Sequence, residues 1–270
     1  MQSMTQATPH TPPQASDETV PKAPRILLVT GASRGIGAAT ARLAARAGWD
    51  VAVNYTRDAA AAQAVAQDVR ALGRRSLVVQ ADVANEAEVL AMFEAVDAGL
   101  GRLSGLVNNA GVVDMPGRVD EMSVARLQRM WAINITGSFV CAREALKRMS
   151  RRHGGDGGSI VNLSSAAAKL GSPNQYVDYA ASKGAIDTFT LGLAREVATE
   201  GVRVNGVRPG IIDTDIHASG GLPDRAAQVA PSVPMQRAGT AEEVAAAVVW
   251  LLSDQASYAT GTTIDITGGR

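Results

Sequence analysis

From Arg25 onward, short β-branched apolar runs alternate with longer segments patterned at helical spacing, and this rhythm limits the fold more than any other feature. Ile26-Leu27-Leu28-Val29 reads as the first strand, and a glycine-rich turn leads from it into a helix through about Ala47, stopped by Gly48. Val51-Ala52-Val53 follows as a strand, then an alanine-rich helix to Leu72, then Leu77-Val78-Val79. Val89, Phe93, Val96 and Leu100 recur at helical spacing before Gly105-Leu106-Val107. A long helix from about Val124 to Arg151 precedes the strand Ser159 to Leu163, and a helix around Tyr179 to Val197 precedes the strand Val202 to Val207. Glu242 to Leu252 form the last helix and Thr262 to Ile266 the last strand. The strands are continuous apolar runs, as expected where both faces of a sheet are buried. The pattern predicts an α/β fold: one doubly wound parallel sheet of about seven strands, helices on both faces, in a single domain over residues 25–270.

Bulk properties narrow the partners. Apolar residues make up 46% and charged residues 19%, enough for a large core. Lys plus Arg equals Asp plus Glu at 26 each, which gives no electrostatic reason to expect nucleic acid or an anionic membrane. No run has the apolar length that crosses a bilayer. One cysteine, Cys141, excludes an internal disulfide; its apolar helical setting reads as packing, and a reducing, cytoplasmic location is the expectation. Residues 1–24 are rich in Thr, Pro, Gln and Ser, lack an apolar core for a signal peptide, and carry Asp17 and Glu18 with no Arg, so a flexible tail is expected. No cluster of His, Asp and Glu points to a metal.

The turn after the first strand reads Thr30-Gly31-Ala32-Ser33-Arg34-Gly35-Ile36-Gly37. Glycines between a strand and a helix let the backbone approach a pyrophosphate, whose charge is met by N–H groups at the helix start. The spacing differs from the commoner Gly-x-Gly-x-x-Gly fingerprint, so position in the sheet carries the argument. An acid ending the second strand would favour NAD; here the stretch is Val53-Asn54-Tyr55-Thr56-Arg57. Arg34 and Arg57 would meet a 2′-phosphate with charge-assisted hydrogen bonds, so NADP(H) is preferred over NAD(H).

Tyr179 and Lys183 stand four apart on a helix and share a face. A tyrosine at its usual pKa of about 10 is a poor base, and an adjacent ammonium favours its phenolate. Ser164-Ser165 ends the fifth strand, where a hydroxyl would stabilise charge on a reacting oxygen. Between Pro209 and Thr240 lie four prolines and four glycines, an interruption expected to be a lid at about residues 211–239.

With these residues in place, the chain after residue 24 resembles the short-chain dehydrogenase/reductase family, a Rossmann-type fold. The motifs are TGASRGIG, Asn108-Asn109-Ala110-Gly111, Tyr179 with Lys183, and Arg208-Pro209-Gly210. The stretch YVDYAASKGAID is similar to 3-oxoacyl-acyl-carrier-protein reductase-like and glucose dehydrogenase-like members. The resemblance implies Tyr179 as general acid in reduction and base in oxidation, Lys183 on the nicotinamide ribose, and Ser165 orienting the carbonyl. It implies Asn134 positioning a water behind Lys183. Ser165 precedes Tyr179 by fourteen residues where the family's interval is thirteen, so Ser164 competes for the role. Asp82 with Val83 would meet the adenine; Asn108, Ala110, Gly111, Pro209 and Gly210 would line the cofactor cleft; Ile212 and Thr214 would face the nicotinamide. Tyr176 and His217 are expected to line the substrate pocket. Pairing through the Asn134 and Tyr179 helices into dimers or tetramers is also implied. The expected activity is NADP(H)-linked reduction of a small carbonyl or oxidation of its alcohol, against the alternative of a non-catalytic nucleotide-sensing or scaffold protein.

Overall fold

The computed structural model describes residues 24–216, 220–222 and 224–270. The expected strands form one parallel sheet: β1 (Arg25–Val29), β2 (Trp49–Tyr55), β3 (Ser76–Gln80), β4 (Gly105–Asn108), β5 (Gly158–Leu163), β6 (Val202–Pro209) and β7 (Thr263–Ile266), in the order β3-β2-β1-β4-β5-β6-β7. The chain winds outward from β1 to β3, then crosses back to place β4 on the other side of β1. That reversal opens a crevice beyond the carboxyl ends of β1 and β4, where ligands of doubly wound sheets bind.

Side-chain alternation along each strand sorts the core into two layers. Leu27, Val29, Val51, Val53, Val107, Val161 and Val207 pack on one face against α1 (Gly35–Arg46), α2 (Ala59–Ala71) and the late helix Ala241–Leu252. Ile26, Leu28, Ala52, Leu106, Ile160 and Val204 pack on the other against α3 (Glu86–Gly99) and the helices Gly137–Met149 and Val177–Val197. Adjacent residues of β1 thus serve opposite layers, which is why the strand reads as an unbroken apolar run.

The helix expected from Val124 to Arg151 runs from Val124 to Met149 and is not α-helical throughout. It comprises α4 (Val124–Trp131), a π-helical turn (Ala132–Thr136) and α5 (Gly137–Met149). Such single turns accommodate an extra residue and often sit at functional positions. Gly137 begins α5 because the helix passes the loop after β3 closely: a Cβ there would lie 2.9 Å from the Val83 carbonyl oxygen. After β5 come α6 (Ala167–Leu170) and α7 (Val177–Val197), which begins two residues before Tyr179. The intervening loop holds Gly171, Ser172 and Asn174 in left-handed conformations.

The expected lid contains a short helix, α8 (Arg225–Val229), before α9 (Ala241–Leu252). Its two ends are tied together. Gly239 N donates to Ile211 O at 2.9 Å and Asp213 N donates to Gly239 O at 2.9 Å, so the segment leaves and rejoins the domain at one point. Residues 1–23 of the expected tail, and His217, lie outside the described residues. Among the described residues no helix is long and apolar enough to cross a membrane.

Candidate active site

The glycine loop is shaped by close approaches. Gly31 and Gly35 have φ of +61° and +54°, a region that disfavours side chains. A Cβ at Gly37 would lie 2.5 Å from Asn109 Nδ2 and 2.6 Å from Gly31 O, so only glycine fits without a shift. Helix α1 starts from Arg34 with no side-chain cap and no acid in its first turn. Its first N–H groups therefore lack the side-chain acceptors that cap α2 (Asp58) and α3 (Asn85). A helix start in that condition, reached through glycines at a sheet switch point, fits a dinucleotide pyrophosphate.

One buried asparagine holds the loop from behind, and a second ties β4 to β5 and α5. Asn54 Oδ1 accepts from Gly31 N at 3.0 Å, and its Nδ2 donates to Ala81 O at 3.0 Å, linking the ends of β1, β2 and β3. Asn108 Nδ2 donates to Asn162 Oδ1 at 3.0 Å and Ser138 O at 3.1 Å. Asn54, Asn108 and Val83 are buried, and Ile36, Gly111, Pro209, Gly210, Ile212 and Thr214 wall the cleft. Asn109, which the sequence reading quoted without a role, both lines the cleft and donates to Thr30 O at 2.8 Å and Gly31 O at 3.0 Å. Its place in an Asn doublet after β4 was the available signal. Arg34 and Arg57 are exposed at the starts of α1 and of the loop after β2; Asp82 follows β3 at the same sheet edge.

The same cleft holds Ser165, Tyr176, Tyr179 and Lys183. Lys183 is buried, and its Nζ donates to Leu163 O at 2.7 Å. Burial pushes its pKa down to about 8, with Asp187 opposing weakly. Burial raises the Tyr179 phenol above its usual value, and a hydrogen bond with Ser165 pulls in the other direction. The adjacent serines diverge. Ser164 is buried and donates to Lys183 O at 3.1 Å, while Ser165 accepts from Ala167 N at 3.1 Å and faces Tyr179.

Asn134 lies within the π-turn and grips the loop after β4 through both backbone polar groups of one residue: Val112 N donates to its Oδ1 at 2.8 Å, and its Nδ2 donates to Val112 O at 2.9 Å. Its Nδ2 also reaches Ser182 Oγ at 3.1 Å, and Ser182 donates to Tyr179 O at 2.7 Å. Gly111 sits between the two groups, since a Cβ there would be 3.5 Å from both Asn134 Oδ1 and Lys183 Nζ. Asp178, beside Tyr179, is buried in a two-point ion pair with Arg126 at 2.7 and 3.2 Å, fastening α4 to the start of α7. Sequence reasoning missed Arg126, which carries no local motif, and gave no role to Asp178 and Ser182, although both lie in the stretch YVDYAASKGAID.

Comparison with known proteins identifies the family. A family model described as enoyl-(acyl carrier protein) reductase matches residues 31–270. An uncharacterized oxidoreductase of Escherichia coli, YgfF, is 55% identical over 245 residues, covering 91% of this chain and 99% of that protein. The 3-oxoacyl-[acyl-carrier-protein] reductase FabG of Staphylococcus aureus is 38% identical over 90% of this chain and 96% of its own length. A crystallised short chain dehydrogenase from Burkholderia cenocepacia, in complex with NADP, superimposes with a TM-score of 0.82 at 36% identity, covering 91% of this chain and 97% of that one. This chain belongs to the short-chain dehydrogenase/reductase family. As a short-chain dehydrogenase/reductase it is an oxidoreductase of a family that uses nicotinamide cofactors and small-molecule substrates.

Proposed function

We propose that this short-chain dehydrogenase/reductase reduces a small carbonyl with NADPH, or oxidises the corresponding alcohol, with Tyr179 as general acid and base. The convergence of Tyr179, Ser165 and Lys183 in one cleft, beside the uncapped start of α1, carries the reading. The bound cofactor would supply or accept the hydride. Gly31, Ser33, Gly35, Ile36 and Gly37 would hold its pyrophosphate; Pro209, Gly210, Ile212 and Thr214 would hold the nicotinamide end.

In reduction, Tyr179 passes its phenolic proton to the carbonyl oxygen, and Ser165 donates a hydrogen bond to that oxygen as charge develops. Lys183 lies with Nζ 5.7 Å from the centre of the Tyr179 ring and favours the phenolate left behind. Asn134, behind Gly111, is assigned the start of the path that returns a proton through Lys183. Turnover of NADPH with a panel of ketones, β-keto thioesters, quinones and sugars tests this reading. Tyr179→Phe is expected to abolish every activity found, and full turnover in that variant would overturn the assignment.

The NADP preference rests on Arg34 and Arg57 together with the absence of an acid at the end of β2. Arg34→Ala is expected to weaken NADPH binding about tenfold and NADH binding little; equal parent affinities for the two would refute it. Self-association is proposed through α5 and α7, where Phe139, 46% exposed, stacks on Phe189 with ring centres 3.7 Å apart. Sedimentation of the parent and Phe139→Glu reads that directly.

A further inference from the structure

Beyond Tyr179 the cleft changes chemistry. Leu170, Val113, Ile211 and Ile216 make apolar walls, and Arg225, from α8 of the lid, is the cation that the described lid residues bring to the cleft. Its guanidinium lies 4.7 Å over the centre of the Tyr176 ring; Nη2 donates to Gln175 Oε1 at 2.8 Å and Nη1 to the Tyr176 hydroxyl at 3.5 Å. Both of these partner residues are neutral. Among the described residues that line the cleft there is no Asp or Glu, and the charged side chains, Lys183, Arg225 and Arg270, are all basic.

A half-buried guanidinium with neutral partners still has donors to offer, and an anion forms stronger, paired hydrogen bonds with it than amide or phenol oxygens do. Stacking on Tyr176 has already oriented the fork, so little further side-chain freedom is lost on binding. Tyr176 stands three residues before Tyr179 at the entry to α7, so cation and phenol address the same chamber. We propose that Arg225 selects carbonyl substrates that carry an anionic group, a carboxylate or a phosphate, seating that group under the lid while the carbonyl meets Tyr179. This deepens the carbonyl reductase reading and rests on it for the reaction, though not for the binding.

Matched pairs test it: acetoacetate against methyl acetoacetate, and dihydroxyacetone phosphate against dihydroxyacetone, each with NADPH. The parent is expected to favour the anionic member of at least one pair about tenfold or more in kcat/KM, and the favoured pair identifies carboxylate or phosphate. Arg225→Met should remove that preference, mainly through KM; Arg225→Glu should invert it, and Arg225→Lys should keep part of it. A parent that prefers the neutral members, or an Arg225→Met enzyme with the preference intact, overturns the proposal. If no pair turns over, the reaction assignment fails by itself, and calorimetric binding of the same pairs to the NADP-loaded parent and Arg225→Met decides the inference. Tighter anion binding that Arg225→Met loses upholds it, and equal binding of both members sinks it.

Discussion

Lys183 Nζ donates to the carbonyl oxygen of Leu163 at 2.7 Å, joining the first turns of α7 to the last residue of β5. A helix residue and a strand end twenty positions apart are thereby set as one unit, and the ammonium is kept in a buried place where its charge is costly.

That burial has a pH signature. The pKa of Lys183 falls to about 8 in the fold, below its usual 10.5. Between these values the unfolded chain holds a proton that the folded chain has released, so the residue's contribution to stability rises with pH. Urea unfolding of the parent and Lys183→Met from pH 7 to pH 10 should show the difference moving in the parent's favour, by about 2 kcal/mol at pH 10. A pH-independent difference would contradict the buried ammonium.

The two serines after β5 should separate cleanly. Ser164→Ala loses one buried hydrogen bond to Lys183 O, with an expected stability loss of about 1 kcal/mol and activity within a few-fold. Ser165→Ala keeps the fold and removes a donor facing Tyr179; kcat should fall by about 10² to 10³. The reverse pattern would assign the chemistry to Ser164.

Gly37→Ala places a methyl group 2.5 Å from Asn109 Nδ2 and 2.6 Å from Gly31 O. Either Asn109 gives way, releasing the loop carbonyls it holds, or α1 shifts. Fluorescence titration should show NADPH affinity at least about tenfold weaker, with thermal stability also reduced.

The Arg126–Asp178 pair is enclosed, and Met115 O also accepts from Arg126 at 2.7 Å. Removing one partner strands a buried charge, so Arg126→Met should lose about 3 kcal/mol in denaturant unfolding. Because the pair fastens the turn that carries Tyr179, kcat should fall as well. In a double-mutant cycle with Asp178→Asn the second change should cost far less than the first.

Much of the framework was readable because it is periodic. Strands buried on both faces appear as apolar runs, helices as repeats near 3.6, and the glycine loop by its place between the two. The π-turn around Asn134 was not readable, since it inserts a residue without altering the apolar repeat enough to show. Nor were the contacts of Asn54, whose side chain bonds Gly31 N and Ala81 O because β1, β2 and β3 lie side by side in register.

By itself the sequence determined the alternation that makes a parallel doubly wound sheet, the glycines that only a tight turn requires, and the four-residue spacing that puts Tyr179 and Lys183 on one helical face. These are local properties of backbone geometry and residue type. Tertiary structure decided which serine turns to Tyr179, that Asn134 grips Val112 across 22 positions, and that Arg225 lies over Tyr176 from 49 positions away. Side-chain direction at a strand end, and contact between distant segments, follow from how the layers and α8 pack, and no local spacing records them.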